Sequence, residues 1–352
     1  DHRDLHSFPT RRSSDLDVLE HLTRDQGFEL IKKLKRKCRD LIIVTPAKVG
    51  HQGSVYDNVN ETHVSQWYPI DFEGCSVIEI NNSMVVTWEK PEVYYCEGMK
   101  FYGERMMTLY GLKPFTNNPD KDVLFMGLYF DQDYEVYKSI TGNKTVFWNG
   151  SDVSRLLDKS AYQEILKEYP AKHVCHNEQL RSELESVGIN ALVQPLFFAD
   201  INEYPVSFKS KKTLEVYVNA HPGREDEYGV PMVWQAATRL PDVKFFVYGV
   251  EGVDTQNLKY MGWLDENDAD EKMSQHHVCL RLNRHDGLSQ QVIKAGLWGQ
   301  PIITRLDLPH TIKVDDMLDL VEKIGALKGL TEPQLQLREW LLAQNLNSLD
   351  WL

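Results

Sequence analysis

The chain is poor in several features, and each lack closes off a class of protein. Cysteine is scarce: five in 352 residues, an odd number at irregular spacing with no CxxC pair. That pattern argues against a disulfide framework and for reduced thiols in a cytoplasmic protein. No apolar run approaches the length of about 18 residues that a membrane helix needs, and no signal-peptide core is found. The sequons Asn60-Glu-Thr62 and Asn149-Gly-Ser151 therefore carry little weight. Positive charge is in deficit, with 39 Lys and Arg against 52 Asp and Glu, a net charge of −13. Bulk electrostatics thus argue against a nucleic-acid partner. What remains is an ordinary globular composition, long enough for two domains that each bury a core.

Residues 1–16, DHRDLHSFPTRRSSDL, show neither helical nor strand period and carry Pro, Ser and paired Arg. They read as a disordered tail and also resemble translated sequencing adapter, so they are excluded from fold reasoning. On that reading the natural start of the protein is missing.

After DVLEHL, the spacing predicts an amphipathic basic helix from Asp25 to Arg39, with Phe28, Ile31 and Leu34 on one face. A buried-type strand, Leu41 to Val44, follows and is closed by Thr45-Pro46. Beyond a polar loop holding His51, His63 and Trp67, the segments Ser76–Ile80 and Ser83–Thr87 alternate about Asn81-Asn82, which reads as a hairpin. Glu89 to Glu92 looks like a boundary. The aromatics and methionines of residues 93–120 predict a connecting helix packed on a neighbour.

From Asp122 strands and helices alternate: DVLFMGLYF, DQDYEVYKSI, KTVFWNGSD, AYQEILKEY, AKHVCHN, EQLRSELESVG and NALVQPLFF. This argues for a parallel sheet with helices on both faces, and for ligands at the carboxyl ends of its strands. Those ends fall at Asn149-Gly150-Ser151-Asp152 and at His176-Asn177-Glu178. Ser151 or Asp152 also reads as a helix N-cap. A second α/β set begins at Thr213–Asn219, with a helix burying Val230, Val233, Ala237 and Leu240. His276-His277 read as strand residues, and Val314–Ile324 and Pro333–Leu352 as amphipathic helices.

The most informative stretch is Leu280 to Thr304, LRLNRHDGLSQQVIKAGLWGQPIIT. Val278, Leu280 and Leu282 alternate as in a strand, and Leu288, Val292 and Ala295 form one helical stripe that Gly299-Gln300-Pro301 ends. With HDG directly before the helix, the N–H groups of Gly287, Leu288 and Ser289 lack intrahelical partners. Such an end attracts an anion, although the same pattern also fits a plain strand–loop–helix unit.

HDGLSQQVIKAGLWGQPII resembles the donor-site segment of group 1 (retaining, GT-B) glycosyltransferases. In that family an acidic residue, Gly and a short apolar–Ser run open a helix, and a Glu follows eight positions after the first acid. Asp286 takes the first place and Lys294 the second. The family Glu accepts ribose hydroxyls, whereas Lys has only donors. The resemblance spans about residues 120–325 and implies an α/β fold with a GT-B-like pair of Rossmann-type domains. Residues 93–198 would form a shortened acceptor-side domain and 199–352 the nucleotide-sugar donor domain. It implies that Arg224, after Gly223, holds the donor diphosphate, with Tyr228-Gly229 standing where the family usually has a Lys. Arg224 also reads as a surface arginine paired to Glu225 or Asp226. Asp286 would accept donor-sugar hydroxyls, Gly287, Leu288 and Ser289 would cradle phosphate, and Gly262 and Trp263 would lie by the base. Asn149 to Asp152 would face the acceptor.

The implied activity is hexosyl transfer, with retention, from a nucleotide sugar to a glycan or lipid-linked acceptor. No metal, permanent cofactor, nucleophile or base is assigned. An inactive, donor-binding subunit is the alternative because of Lys294. A cytoplasmic place in polysaccharide biosynthesis is expected, with peripheral membrane association left open. Residues 17–92 resemble the C-terminal half of a class I SAM-dependent methyltransferase, a partial Rossmann-like fragment. The glycine-rich loop and the acidic ribose partner for SAM find no place in it, so SAM is not expected to bind. Glu20, His21, His63 and Trp67 are then structural residues or relics.

Overall fold

The computed structural model describes residues 18–38, 40–48, 62–349 and 351–352. Residues 1–17, His51 and the sequon at Asn60 lie outside those described. Two compact units are present: Asp1–Glu92 with Tyr110–Thr116 and Leu349–Leu352, and Val93–Leu109 with Asn117–Ser348.

In the first unit a single 3-10 turn, Leu19–His21, leads into α1 (Arg24–Lys37). Thr23 caps α1 in a reciprocal box with Gln26, which is why the helix starts one residue before the expected Asp25. Strands β1 (Asp40–Pro46), β2 (Ser76–Ile80) and β3 (Ser83–Glu89) form an antiparallel sheet in the order β1-β3-β2. Asn81 and Asn82 both adopt positive φ, 49° and 66°, as a two-residue hairpin turn of the favoured hand requires. Leu19, Ile31, Leu41, Ile43, Trp67, Phe72, Met84 and Val86 make the core. The expected helix face is turned slightly. Gly27 lies against the Trp67 indole, so closely that a Cβ would come within 2.3 Å of it, and Phe28 is left 40% exposed. A large ring needed a residue without a side chain opposite it, a requirement that apolar periodicity does not reveal.

The chain continues through β4 (Glu92–Tyr94), α2 (Lys100–Tyr110) and β5 (Lys113–Pro114). In the second unit, β6 (Val123–Phe125), β7 (Lys144–Trp148), β8 (Lys172–Cys175) and β9 (Ala191–Val193) run parallel in sequential order. Between them lie α3 (Asp131–Ser139), α4 (Ser151–Asp158), α5 (Ser160–Glu168) and α6 (Glu178–Ser186). The loop after β7 turns helical at Ser151, so α4 is the helix that an N-cap in this loop would open. Gly188, at φ 84°, closes α6 as its sequence predicts.

The other half is a six-stranded, all-parallel sheet in the order β12-β11-β10-β13-β14-β15. Its strands are β10 (Glu215–Asn219), β11 (Lys244–Tyr248), β12 (Leu258–Gly262), β13 (Val278–Arg281), β14 (Ile302–Thr304) and β15 (Ile312–Lys313). Helices α7 (Val230–Arg239), α8 (Glu266–Ser274), α9 (Gln290–Trp298), α10 (Met317–Ala326) and α11 (Gln336–Ala343) cover it. Val216, Val218, Phe245, Val247, Leu280 and Ile303 pack with Val233 and Ala237 of α7 on one face. Tyr217, Cys279 and Ile302 pack with Val292 and Ala295 of α9 on the other. His276 and His277 precede β13 rather than belonging to it. Burial drives the His276 pKa down to about 4, and the ring stacks on Phe246 with its Nε2 2.7 Å from the Tyr248 hydroxyl. No helix among the described residues is long and apolar enough to cross a membrane.

Candidate functional site

Strand order fixes where a ligand site can form. The chain leaves β10 toward β11 on one side and later returns to β13 on the other, so the sheet reverses its winding between β10 and β13. The loops after these two strands therefore diverge from adjacent carboxyl ends and leave a crevice. Arg224 lies in the first loop and Asp286 to Ser289 in the second, so the segments singled out from sequence come together here.

Glycine positions hold the two loops close. Gly229, at φ 73°, abuts Leu282, where a Cβ would approach to 2.6 Å. Tyr228 then lies between two guanidinium groups, that of Arg281 4.8 Å and that of Arg224 5.6 Å from its ring centre. Arg224 is half-exposed and pairs with Glu227 at 2.6 Å, not with Glu225 or Asp226. One turn's spacing (i, i+3) brings Glu227 within reach.

Arg281 is the functional candidate that sequence reading missed. It ends β13, is almost buried, and donates through Nε to Asp286 Oδ2 at 2.7 Å. Burial opposes its charge, but Asp286 more than offsets this, so the guanidinium stays firmly cationic. Asp286 is consequently committed to Arg281 before any sugar arrives. The available signal was an arginine at the carboxyl end of a strand beside the expected site.

The helix after HDG begins later than its sequence suggests. Ser289 is the N-cap of α9, its hydroxyl accepting from Val292 N–H, and Gly287 and Leu288 belong to the loop. Among the described residues the N–H groups of Gly287, Leu288 and Ser289 make no hydrogen bond. Three donors and the positive end of α9 thus remain for an anion.

Lys294 sits on α9 facing α8. Its ammonium bonds Asp270 at 2.7 and 2.8 Å and Glu266 at 3.1 Å, and Glu266 also pairs with Arg105. All three of its donors are engaged, so it is not free to reach a phosphate. Trp263 follows β12 and is 77% exposed, and Gly262, at φ 65°, turns the chain there.

The loop after β7 is built differently. Gly150, not Ser151 or Asp152, is the N-cap of α4. Asp152 is fully buried, and its carboxylate accepts from the N–H groups of Asn149, Gly150 and Val153 at 2.8–3.1 Å. Burial raises its pKa to about 6 despite those bonds. The loop presses on the HDG loop: a Cβ on Gly150 would come within 2.9 Å of Gly287 N, and one on Gly287 within 2.4 Å of Asn149 O. Asn177 caps α6 and donates through Nδ2 to Asp286 O at 3.2 Å. His176, driven down to a pKa of about 3 by burial, lies beside Gly287 as a neutral ring. His285 bridges Glu183 at 2.7 Å and Ser154 at 3.0 Å.

No protein-family model matches the chain, and no curated protein matches it in sequence. Solved structures do match. A trehalose-6-phosphate synthase, studied with bisubstrate glycomimetics for glycosyl transfer with retention, is 9% identical at TM-score 0.52, covering 78% of this chain and 87% of that one. The N-terminal domain of Candida albicans trehalose-6-phosphate phosphatase is 10% identical at 0.51, covering 69% of each chain. Sucrose-phosphate synthase from Thermosynechococcus elongatus is 13% identical at 0.50, covering 76% and 81%. TarM aligns at 0.48 with 12% identity over 65% of this chain and 52% of its own, so the chain spans about half the length of that structure. At such identities the likeness is one of fold. The fold is GT-B-like, two Rossmann-like α/β domains.

Proposed function

We propose that residues 93–352 form a glycosyltransferase that takes a sugar from a nucleotide-sugar donor. The transfer proceeds with retention, without a metal, and goes to a glycan or lipid-linked acceptor. Residues 93–198 serve as the acceptor-side domain and 199–352 as the donor domain. The observation that carries this reading is the pairing, at the β10/β13 crevice, of two arginines with three unpartnered backbone N–H groups. A leaving nucleoside diphosphate gathers negative charge on its β-phosphate, and preorganised donors in a partly dry site stabilise that charge most. Arg224 exchanges Glu227 for phosphate oxygens, which a planar guanidinium grips in pairs. Gly287, Leu288 and Ser289 complete the cradle. Arg281 fixes Asp286, whose remaining acceptor capacity meets donor-sugar hydroxyls. Trp263 offers an exposed indole for the base. Lys294 has no acceptor of its own, but it draws Glu266 and Asp270 to its head, so carboxylate oxygens stand beside it.

The test is calorimetric titration with UDP, GDP, ADP and CMP, followed by hydrolysis or transfer assays with sugars of the nucleotide that binds. Saturable binding of one nucleotide, lost in Arg224→Ala and accompanied by turnover, is expected. Binding without turnover would establish the inactive, donor-holding subunit instead, and no binding at all would overturn the donor site. Residues 17–92 are proposed as a methyltransferase-like fragment without SAM binding. The antiparallel β1-β3-β2 sheet beside α1 supports this reading, and saturable SAM binding would end it.

A further inference from the structure

In the first unit, one side-chain cluster is better built than packing requires. A carboxylate oxygen of Glu20 and one ring nitrogen each of His21 and His63 lie within 4.8 Å of one another. Glu20 is only 2% exposed, yet its carboxylate meets a single hydrogen-bond partner among the described residues, the neutral Thr45 hydroxyl at 3.2 Å. A buried carboxylate gains from a cation beside it, and no Lys or Arg among the described residues pairs with this one. His21 Nδ1 is 3.1 Å from the Thr62 carbonyl, an acceptor that calls for the proton on Nδ1 and so leaves the lone pair on Nε2. That arrangement, an imidazole orienting itself on a backbone carbonyl, is the usual support of a ligating histidine. His63 Nδ1 is buried and has no hydrogen-bond partner among the described residues. The two rings meet edge to face at 5.0 Å.

The backbone holds the two contributing segments together independently of these side chains. Val64 and Ser65 N–H groups both donate to the Glu20 carbonyl, at 2.7 and 3.1 Å. The Ser65 hydroxyl and Trp67 indole N–H both donate to the Leu19 carbonyl at 3.0 Å. His63 is thereby pinned opposite Glu20 and His21, although some forty residues separate them in sequence.

We propose that Glu20, His21 and His63 bind one divalent first-row transition-metal ion, with Zn2+ the best fit. Two imidazoles and one carboxylate form a nitrogen-rich set that Mg2+ and Ca2+, which want oxygen ligands, do not favour. Ligands about 2.1 Å from a tetrahedral ion lie about 3.4 Å apart, so small side-chain rotations close the cluster around it. His21 and His63 are only half-buried, which leaves an opening for solvent to complete the coordination. The ion would place positive charge beside the Glu20 carboxylate.

The experiment uses the whole chain, stripped with a chelator and titrated with Co2+ while its visible d–d absorption is followed, then with Zn2+ and Mg2+ by calorimetry. One equivalent of Co2+ giving the intense spectrum of low coordination number is expected, displaced by Zn2+ and not by Mg2+. His21→Ala, His63→Ala and Glu20→Gln should each weaken Zn2+ binding at least tenfold, while His310→Ala in the other unit leaves it unchanged. Circular dichroism and the Trp67 environment show whether each variant is folded. Because Glu20 is buried, His63→Ala carries the decision if Glu20→Gln does not fold. Zn2+ binding unaltered in a folded His63→Ala, equal affinity for Mg2+, or no low-coordinate Co2+ spectrum would each overturn the proposal.

Discussion

Two loops occupy equivalent places in the second unit, each at the carboxyl end of a parallel strand and each opening a helix, yet their polar groups are used in opposite ways. After β7 the Asp152 carboxylate turns inward and saturates the N–H groups of its own loop. After β13 the N–H groups of Gly287, Leu288 and Ser289 find no partner among the described residues, and the carboxylate of Asp286 turns instead to a buried arginine. Topology alone places a ligand at either loop. Electrostatic saturation distinguishes them: a loop that satisfies its own donors has little left for an anion, and one that leaves them open keeps donors for one. The acceptor-facing role read into Asn149–Asp152 therefore rests on its outer residues, such as the exposed Ser151, and not on Asp152.

The sharpest way to break this contrast is at Arg281. Arg281→Ala leaves Asp286 largely buried and uncompensated, at a cost of about 3 to 5 kcal/mol, and nucleotide binding should vanish with the order of the loop. Denaturant unfolding together with calorimetry checks both. Arg224→Ala, on an exposed side chain, should leave the unfolding midpoint in place while weakening nucleotide binding on the order of tenfold or more. If the two variants behaved alike in stability, Arg281 would not be the internal support argued here.

A methyl group tests the contact between the loops. The Cβ of Gly287→Ala would fall 2.4 Å from Asn149 O, so backbone must shift, at about 1 to 3 kcal/mol. Gly223→Ala, in open space but at φ 76°, should cost less and act through backbone conformation alone. Thermal unfolding of the pair orders the two effects.

Much of the donor half is legible in the sequence because its information is local. The alternation of Val278, Leu280 and Leu282 and the Leu288–Val292–Ala295 stripe each describe one element, and both elements form. What is not legible depends on neighbours distant in the chain. Arg281 reads as the end of a strand until Tyr228 and Asp286 surround it. Lys294 reads as a lone departure from an acidic pattern until α8 brings Glu266 and Asp270 to it. The start of α9 is misplaced by the Ser289 cap, since a serine inside a polar run is as much loop as helix. The N-cap of α4 is misplaced for a related reason: it is Gly150 at φ 137°, not Ser151 or Asp152, and it caps without a side chain.

The self-saturated loop also has a signature in pH. Burial, opposed by backbone N–H donors of its own loop, raises the Asp152 pKa to about 6, above its unfolded value. The folded state therefore holds its proton more tightly. The stability this contributes is full below about pH 4 and is lost as pH rises through about 6. Asp152→Asn should flatten that slope in unfolding temperature. A slope unchanged in the variant would assign it to other carboxylates.

The smallest effect is expected at His285, where the second loop meets the first half of the unit. Its hydrogen bond to Glu183 raises its pKa above the ordinary histidine value, against the opposing effect of burial. The imidazolium form is thus favoured in the folded protein, with Ser154 on its other nitrogen. Stability from this bridge is present below about pH 6.5 and fades as pH rises through the folded pKa, opposite in window to most carboxylate effects. His285→Gln keeps hydrogen-bonding capacity but cannot titrate. The variant should lose a few degrees of unfolding temperature at pH 6 and almost none at pH 8.5, and an equal loss at both would mean that shape, not charge, holds this contact.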